Sequence, residues 1–131
     1  PYTIPVESVR HDWVTVALGD GTAFVNFRPF LAPPGRVVEV DLVSRATGRT
    51  FEVGRGNGDI AYATGKLSAA NPHDATVSVI DLGSGARREL RIGKNPSLLR
   101  ASADGTAVFV GDGRTVFRLD TDTDEVATSF Q

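Results

Sequence analysis

The sequence predicts an all-β fold of three four-stranded antiparallel sheets, and two observations predict it. Short β runs separated by turn residues recur along the whole 131-residue chain, and apolar residues at 3.6-residue spacing occur nowhere. The runs also repeat. Asp41, Asp81 and Asp120 close Val37-Val38-Glu39-Val40-Asp41, Val77-Ser78-Val79-Ile80-Asp81 and Val116-Phe117-Arg118-Leu119-Asp120, at spacings of 40 and 39 residues. Gly21, Gly65 and Gly105 recur at spacings of 44 and 40. They stand in Asp20-Gly21, Thr64-Gly65 and Asp104-Gly105, where glycine supplies the positive φ of a tight hairpin. Two of these turns read on identically, Asp20-Gly21-Thr22-Ala23 and Asp104-Gly105-Thr106-Ala107. Four short strands per period of about forty residues is the pattern of a β-propeller blade.

With strands lettered a to d in each unit, unit one has a at 12–18, b at 22–27, c at 36–43 and d at 49–53. Unit two has a at 59–63, b at 66–70, c at 76–82 and d at 87–92. Unit three has a at 97–102, b at 106–110, c at 115–120 and d at 125–130. Alternation of apolar and polar residues is weak in the b and c runs, as in sheets covered on both faces. The stretch Thr3-Ile4-Pro5-Val6-Glu7 aligns with the d runs Thr50-Phe51-Glu52-Val53-Gly54 and Glu89-Leu90-Arg91-Ile92-Gly93. Its proline suits an outermost strand, whose N–H groups face solvent. The expected organisation is an outer strand of a preceding blade and a connector over 1–10, then blades over 11–54, 55–93 and 94–131.

The segments Thr76-Val77-Ser78-Val79-Ile80-Asp81, Arg91-Ile92-Gly93 and Asn95-Pro96-Ser97 resemble the YVTN-type β-propeller repeat of secreted and surface-layer proteins. The resemblance spans nearly the whole chain and specifies fold rather than activity. The b strands depart from that family's Tyr-Val-Thr/Ala-Asn core: they read Phe24-Val25-Asn26-Phe27, Ser68-Ala69-Ala70-Asn71 and Phe109-Val110-Gly111-Asp112. The loop after b in unit one is also long. The resemblance implies an extracellular, periplasmic or cell-surface location.

Composition narrows the function classes. A hydrophobic content of 40% and a charged content of 23% suit one globular domain. A net charge of −2 gives no polyelectrolyte attraction to nucleic acid, and no run approaches the roughly 20 apolar residues that span a bilayer. There is no cysteine for disulfides or thiolate metal sites. Pro1-Tyr2-Thr3-Ile4-Pro5 lacks the basic start and apolar core of a signal peptide. The absence of methionine leads us to expect a processed chain or a piece of a longer polypeptide. Propellers close with about four to eight blades, so three blades leave an open arc whose flanks expose apolar sheet faces. The expected partners are a second chain, or further copies, supplying the missing blades; a six-bladed homodimer fits less well, because it leaves 3–7 unplaced.

Blade topology places the d-to-a and b-to-c loops on one face, where ligands of propellers usually sit. Candidates for ligand or partner binding there are His11, Asp12, Trp13, Arg28, Phe30, Arg55, Asn57, His73, Asp74, Asn95 and Arg114. His11-Asp12-Trp13 combines a histidine beside a carboxylate, as in general bases, with a ring for stacking. The plainer reading, a solvated histidine beside a tryptophan anchoring strand a, is preferred, because adjacency in sequence does not create site geometry. His73-Asp74 raises metal binding with His11, but two histidines without tight spacing favour a polar loop. Asp120, Asp122 and Asp124 alternate like the start of a calcium loop. They lack the later glycine and bidentate glutamate, and their place in a c-to-d turn favours ordinary turn chemistry. Calcium is therefore the one cofactor the sequence raises, and it raises it weakly.

Arg87, Arg88, Arg91 and Lys94 on and after an outer strand read as protection against edge-to-edge pairing. The apolar loop Phe30-Leu31-Ala32-Pro33-Pro34 is expected to dock within the complete propeller. Phosphate-loop and Gly-x-Ser-x-Gly patterns are absent. The sequence thus favours a binding or interaction scaffold. The alternative is part of a propeller enzyme (lactonase-, quinoprotein dehydrogenase- or hydrolase-like) whose polar groups converge on the central channel from several blades.

Overall fold

The computed structural model describes residues 13–28, 34–56 and 58–130. It contains three four-stranded antiparallel sheets, each a meander in chain order. Blade 1 comprises β1 (Trp13–Gly19), β2 (Thr22–Arg28), β3 (Arg36–Asp41) and β4 (Thr47–Glu52). Blade 2 comprises β5 (Ile60–Ala63), β6 (Lys66–Asn71), β7 (Thr76–Asp81) and β8 (Arg87–Arg91). Blade 3 comprises β9 (Leu98–Ala101), β10 (Ala107–Gly111), β11 (Val116–Asp120) and β12 (Val126–Phe130). A 3-10 turn, Pro72–Asp74, sits in the b-to-c loop of blade 2. The outer strand expected at 3–7 and the loop 29–33 lie outside the described residues.

The a strands β1, β5 and β9 lie side by side along the inner edge of the arc. Two apolar layers fill the spaces between sheets. Between blades 1 and 2, Phe24 and Val37 pack against Ile60, Leu67, Ala69 and Ile80. Between blades 2 and 3, Ala61, Ala70, Val77 and Val79 pack against Leu99, Val108, Val110 and Leu119. Because β6 and β7 are covered on both faces, their side chains are buried almost without alternation. This explains the weak period-2 signal in the sequence.

The three c-to-d turns use one device. Asp41 Oδ1 accepts the N–H groups of Val43 and Ser44, at 2.9 and 2.8 Å. Asp81 Oδ1 accepts those of Gly83 and Ser84, and Asp120 Oδ1 those of Asp122 and Thr123. The turn then closes through a residue in the left-handed region: Arg45 (φ 65°), Gly85 (φ 79°) and Asp124 (φ 60°). These N–H bonds hold the Asp41 and Asp120 carboxyls below the usual range, with the Ser44 and Thr123 N–H groups the leading causes.

The a-to-b turns, by contrast, are not equivalent. In Asp20-Gly21 and Thr64-Gly65 both central residues have positive φ, and the flanking pairs are Gly19 with Thr22 and Ala63 with Lys66. These are two-residue hairpins of the primed kind. In the third turn only Gly105 is left-handed. Asp104 instead accepts from the Thr106 N–H and from the Ser102 and Thr106 hydroxyls, and strand pairing resumes one residue later. Ala107 therefore faces Asp120, whereas Thr22 and Lys66 face Asp41 and Asp81. Identical Asp-Gly-Thr-Ala segments thus form different turns, and blade 3 is displaced by one residue relative to its sequence alignment. One-residue bulges also interrupt the outer pairings, between Val38 and Val40 in blade 1 and between Val116 and Phe117 in blade 3.

Candidate functional site: the loop rim of the arc

On the rim formed by d-to-a and b-to-c loops, the structure builds two separate groups. The first joins Arg55 to Asp74. The Arg55 N–H donates to Asp74 Oδ2 at 2.9 Å and its Nε to Oδ1 at 3.1 Å, while the His73 N–H donates to the Arg55 carbonyl at 3.1 Å. The Arg55 N–H is the leading cause that depresses the Asp74 carboxyl below its ordinary range. Gly56 makes the contact possible: a Cβ there would lie 2.7 Å from Pro72 Cδ. His73 stays exposed beside the clip.

Blade 3 repeats the clip. Asp112 takes the Lys94 N–H on Oδ2 at 3.3 Å and the Arg114 and Thr115 N–H groups on Oδ1 at 3.1 and 2.9 Å. These bonds, led by that of Thr115, lower its carboxyl. In both cases an aspartate of a b-to-c loop seizes the backbone of the cation that follows a glycine, Gly54-Arg55 or Gly93-Lys94. An open cavity of about 580 Å3 lies here, lined by Gly93, Lys94, Asp112, Arg114, Thr115 and Phe117. Asn95 and Arg114 are exposed near it. The sequence order hid the clips because Arg55 and Asp74 are nineteen residues apart. His11, Asp12, Phe30 and Asn57, and the side chains of Trp13 and Arg28, lie outside the described residues.

Two buried asparagines join the polar inventory that sequence reading missed. Asn71 donates through Nδ2 to Thr76 Oγ1 at 3.2 Å and to Ser78 Oγ at 2.8 Å. Ser78 in turn donates to Glu89 Oε1 at 2.8 Å, so the amide dipole is relayed to an outer carboxylate. Gly54 sits against this amide, where a Cβ would be 2.5 Å from Asn71 Cγ. Asn26, fully buried, donates to Thr15 Oγ1 at 3.1 Å, while its Oδ1 has no hydrogen-bond partner among the described residues. It stands where the other blades carry Ala70 and Gly111. Nothing in the sequence around Asn26 distinguished it from a surface residue.

The opposite rim holds the acidic turn. Asp120 is committed to the c-to-d turn described above. Asp122 is exposed, and Asp124 turns back onto blade 2, bonding Lys66 Nζ at 3.1 Å and Arg88 Nη1 at 2.9 Å. The three carboxylates therefore point to different tasks. Among the described residues, no group of three or more histidines and carboxylates is placed to hold a metal ion. No described helix is long and apolar enough to cross a membrane.

No protein-family model matches the chain, and no curated protein matches it in sequence. Solved structures do match. Hydrazine synthase of Kuenenia stuttgartiensis is 20% identical with a TM-score of 0.76, over 97% of this chain and 38% of that one. The computationally designed Ika4 protein is 14% identical with a TM-score of 0.75, over 97% of this chain and 78% of its own. The WD40 repeats of RRP9 are 15% identical with a TM-score of 0.65, over 88% and 36%. This chain thus spans well under half of the hydrazine synthase chain. At such identities the likeness establishes architecture alone: the chain is all-β and forms part of a β-propeller.

Proposed function

We propose that this chain is a binding and interaction scaffold, a run of blades within a larger extracytoplasmic propeller of the YVTN repeat type. The remaining blades come from a further polypeptide segment or chain. One observation carries this reading. Val14, Val16 and Leu18 of β1 are 52%, 55% and 67% exposed in a contiguous stripe. The equivalents of Val16 in the other blades, Ile60 and Leu99, are only 4% and 1% exposed because a preceding blade covers them. A face built like an inter-blade face and left open is unfavourable for a free monomer, at about 25 cal/mol per Å2 of apolar surface.

A scaffold role is supported by the rim itself. Asp74 and Asp112 accept loop backbone N–H groups, so these loops present cationic and amide groups on a rigid base. The extracytoplasmic setting is supported by the lack of cysteine and by likeness to an extracellular domain, that of BT4673 from B. thetaiotaomicron, at a TM-score of 0.66. The test is sedimentation velocity with hydrophobic-dye binding on the isolated chain. The expected result is assembly above monomer mass or strong dye binding, removed by Val16→Ser with Leu18→Ser without loss of fold. A folded monomer that neither assembles nor binds dye would overturn the reading.

A further inference from the structure

The two open flanks of the arc are chemically unlike, and strand register makes the difference explicit. Each blade shows one face to its predecessor and one to its successor. The predecessor faces agree throughout: Val16 and Leu18 correspond to Ile60 and Tyr62 and to Leu99 and Ala101. The successor faces do not agree. Blade 1 offers Ala17, Phe24, Val37 and Glu39, the last ion-paired with Arg49 of its own blade at 2.7 Å, and blade 2 offers Ala61, Ser68, Val77 and Val79. Their small a-strand residues leave room for the bulky a-strand residues of the next blade. At Gly19 the room is fully used, since a Cβ there would sit 2.1 Å from Tyr62 Cδ1.

In blade 3 the same positions hold Arg100, Phe109, Val116 and Arg118. Arg100, Phe109 and Arg118 lie in one cross-strand row, a ring between two guanidinium groups. The Arg100 and Arg118 side chains are 78% and 42% exposed. Arg100 donates through Nη1 to Asp59 Oδ2 at 2.7 Å and to the Leu99 carbonyl at 2.9 Å. Arg118 meets Asp120 only at 3.6 Å. An aliphatic stripe laid over this row would bury guanidinium donors without acceptors, which is costly. Carboxylates laid over it would form the forked pairs that arginine makes best.

We infer that the free face of blade 3 docks a blade whose inner strand presents a carboxylate opposite Arg100, supplied by a polypeptide segment other than a second copy of this chain. A second copy brings Val14, Val16 and Leu18 to that position and matches neither charge. This inference rests on the open-arc reading and narrows the chemistry of its partner. Arg100 is the selector, because the corresponding positions, Ala17 and Ala61, carry no side-chain charge.

The test uses this chain as its own probe. By register, Val16 of a following blade lies opposite Arg100, so Val16→Glu supplies the inferred carboxylate to the face of another copy. Sedimentation velocity compares wild type with Val16→Glu, Val16→Lys and the double variant Val16→Glu/Arg100→Glu, each checked for fold by circular dichroism. The expected result is head-to-tail assembly of Val16→Glu at least ten-fold tighter than that of Val16→Lys, cancelled by Arg100→Glu. Equal assembly by the Glu and Lys variants would overturn the inference, as would tight closed rings of the wild-type chain. Either result leaves the open arc standing. A folded wild-type monomer without dye binding would instead remove the arc reading itself.

Discussion

The two interfaces inside this arc join the same architectural parts by different means. Between blades 1 and 2, aromatic bulk does the joining: Phe24 and Tyr62 stack with centroids 5.6 Å apart, and the Tyr62 ring fills the space that Gly19 leaves. Between blades 2 and 3 the a and b strands carry alanines, and charge takes a larger share. Asp59 ties Arg100, Asp124 ties Lys66 and Arg88, and the Thr64 hydroxyl donates to the Gly105 carbonyl at 2.7 Å. Sheet spacing is set by the strands. Either large rings over glycine or small residues with bridging charges can therefore satisfy it.

This contrast can be broken most forcefully from the packed side. Leu67 is fully buried between blades 1 and 2. Leu67→Ala is expected to lower stability by about 2–5 kcal/mol, read from urea unfolding, and Gly19→Val by about 1–3 kcal/mol through overpacking. The charged side is expected to yield less. Asp124→Ala leaves Lys66 and Arg88 without their carboxylate and should cost about 1–3 kcal/mol. Raising ionic strength from about 0.1 to 1 M shortens the screening length from about 10 to 3 Å. That change should erode the wild-type margin over Asp124→Ala while leaving the Leu67→Ala difference unchanged. Equal salt response of both variants would dissolve the distinction between the interfaces.

Titration sharpens the contrast further. The Tyr62 hydroxyl donates to the Asp20 carboxylate, and that bond, followed by burial, raises the Tyr62 pKa above its usual 10. The folded chain thus favours the neutral phenol. Its contribution is complete below about pH 10 and fades as pH rises through the folded-state value. Melting temperatures above about pH 10 should therefore fall more steeply for wild type than for Tyr62→Phe. The smallest effect is expected at Asp104, which lies outside both packed layers. The Thr106 N–H, then the Ser102 and Thr106 hydroxyls, hold its pKa at about 2. Its contribution is present above the unfolded value near 4 and is lost as pH falls toward about 2. Asp104→Asn should flatten that limb of the pH–stability curve, and an unchanged limb would place the acid sensitivity in the other turn aspartates.

The strands were legible in the sequence because turn chemistry marks their ends locally: Asp41, Asp81 and Asp120 each act within three residues. What was not legible depended on distant or competing partners. The third a-to-b turn shares Asp-Gly-Thr-Ala with the first, yet Ser102 bonds Asp104 and the Ala107 N–H and draws out a longer loop. Gly19, at the corresponding site in blade 1, has no side chain with which to do so. The bulges in β4 and β12 reflect one surplus residue each, which composition does not reveal. At the rim, Arg55 read as a candidate for ligand or partner binding and Lys94 as protection against edge-to-edge pairing, and no local signal tied either to an aspartate. Their backbone is instead captured by Asp74 and Asp112 from the neighbouring loops. Arg100 carried no motif at all, and only register sets it beside Ala17 and Ala61.

The repeated aspartate clamp of the c-to-d turns has a consequence for how such a chain grows. The clamping carboxylate oxygen of each turn, on Asp41, Asp81 or Asp120, satisfies backbone within its own hairpin. A hairpin of this kind forms with little loop-closure cost and low contact order. Whole units of about forty residues can then be duplicated, lost or exchanged without redesigning a turn, as in other arrays of nearest-neighbour repeats. Inheritance by blade is built into the outer edge, while identity between blades is written on the faces.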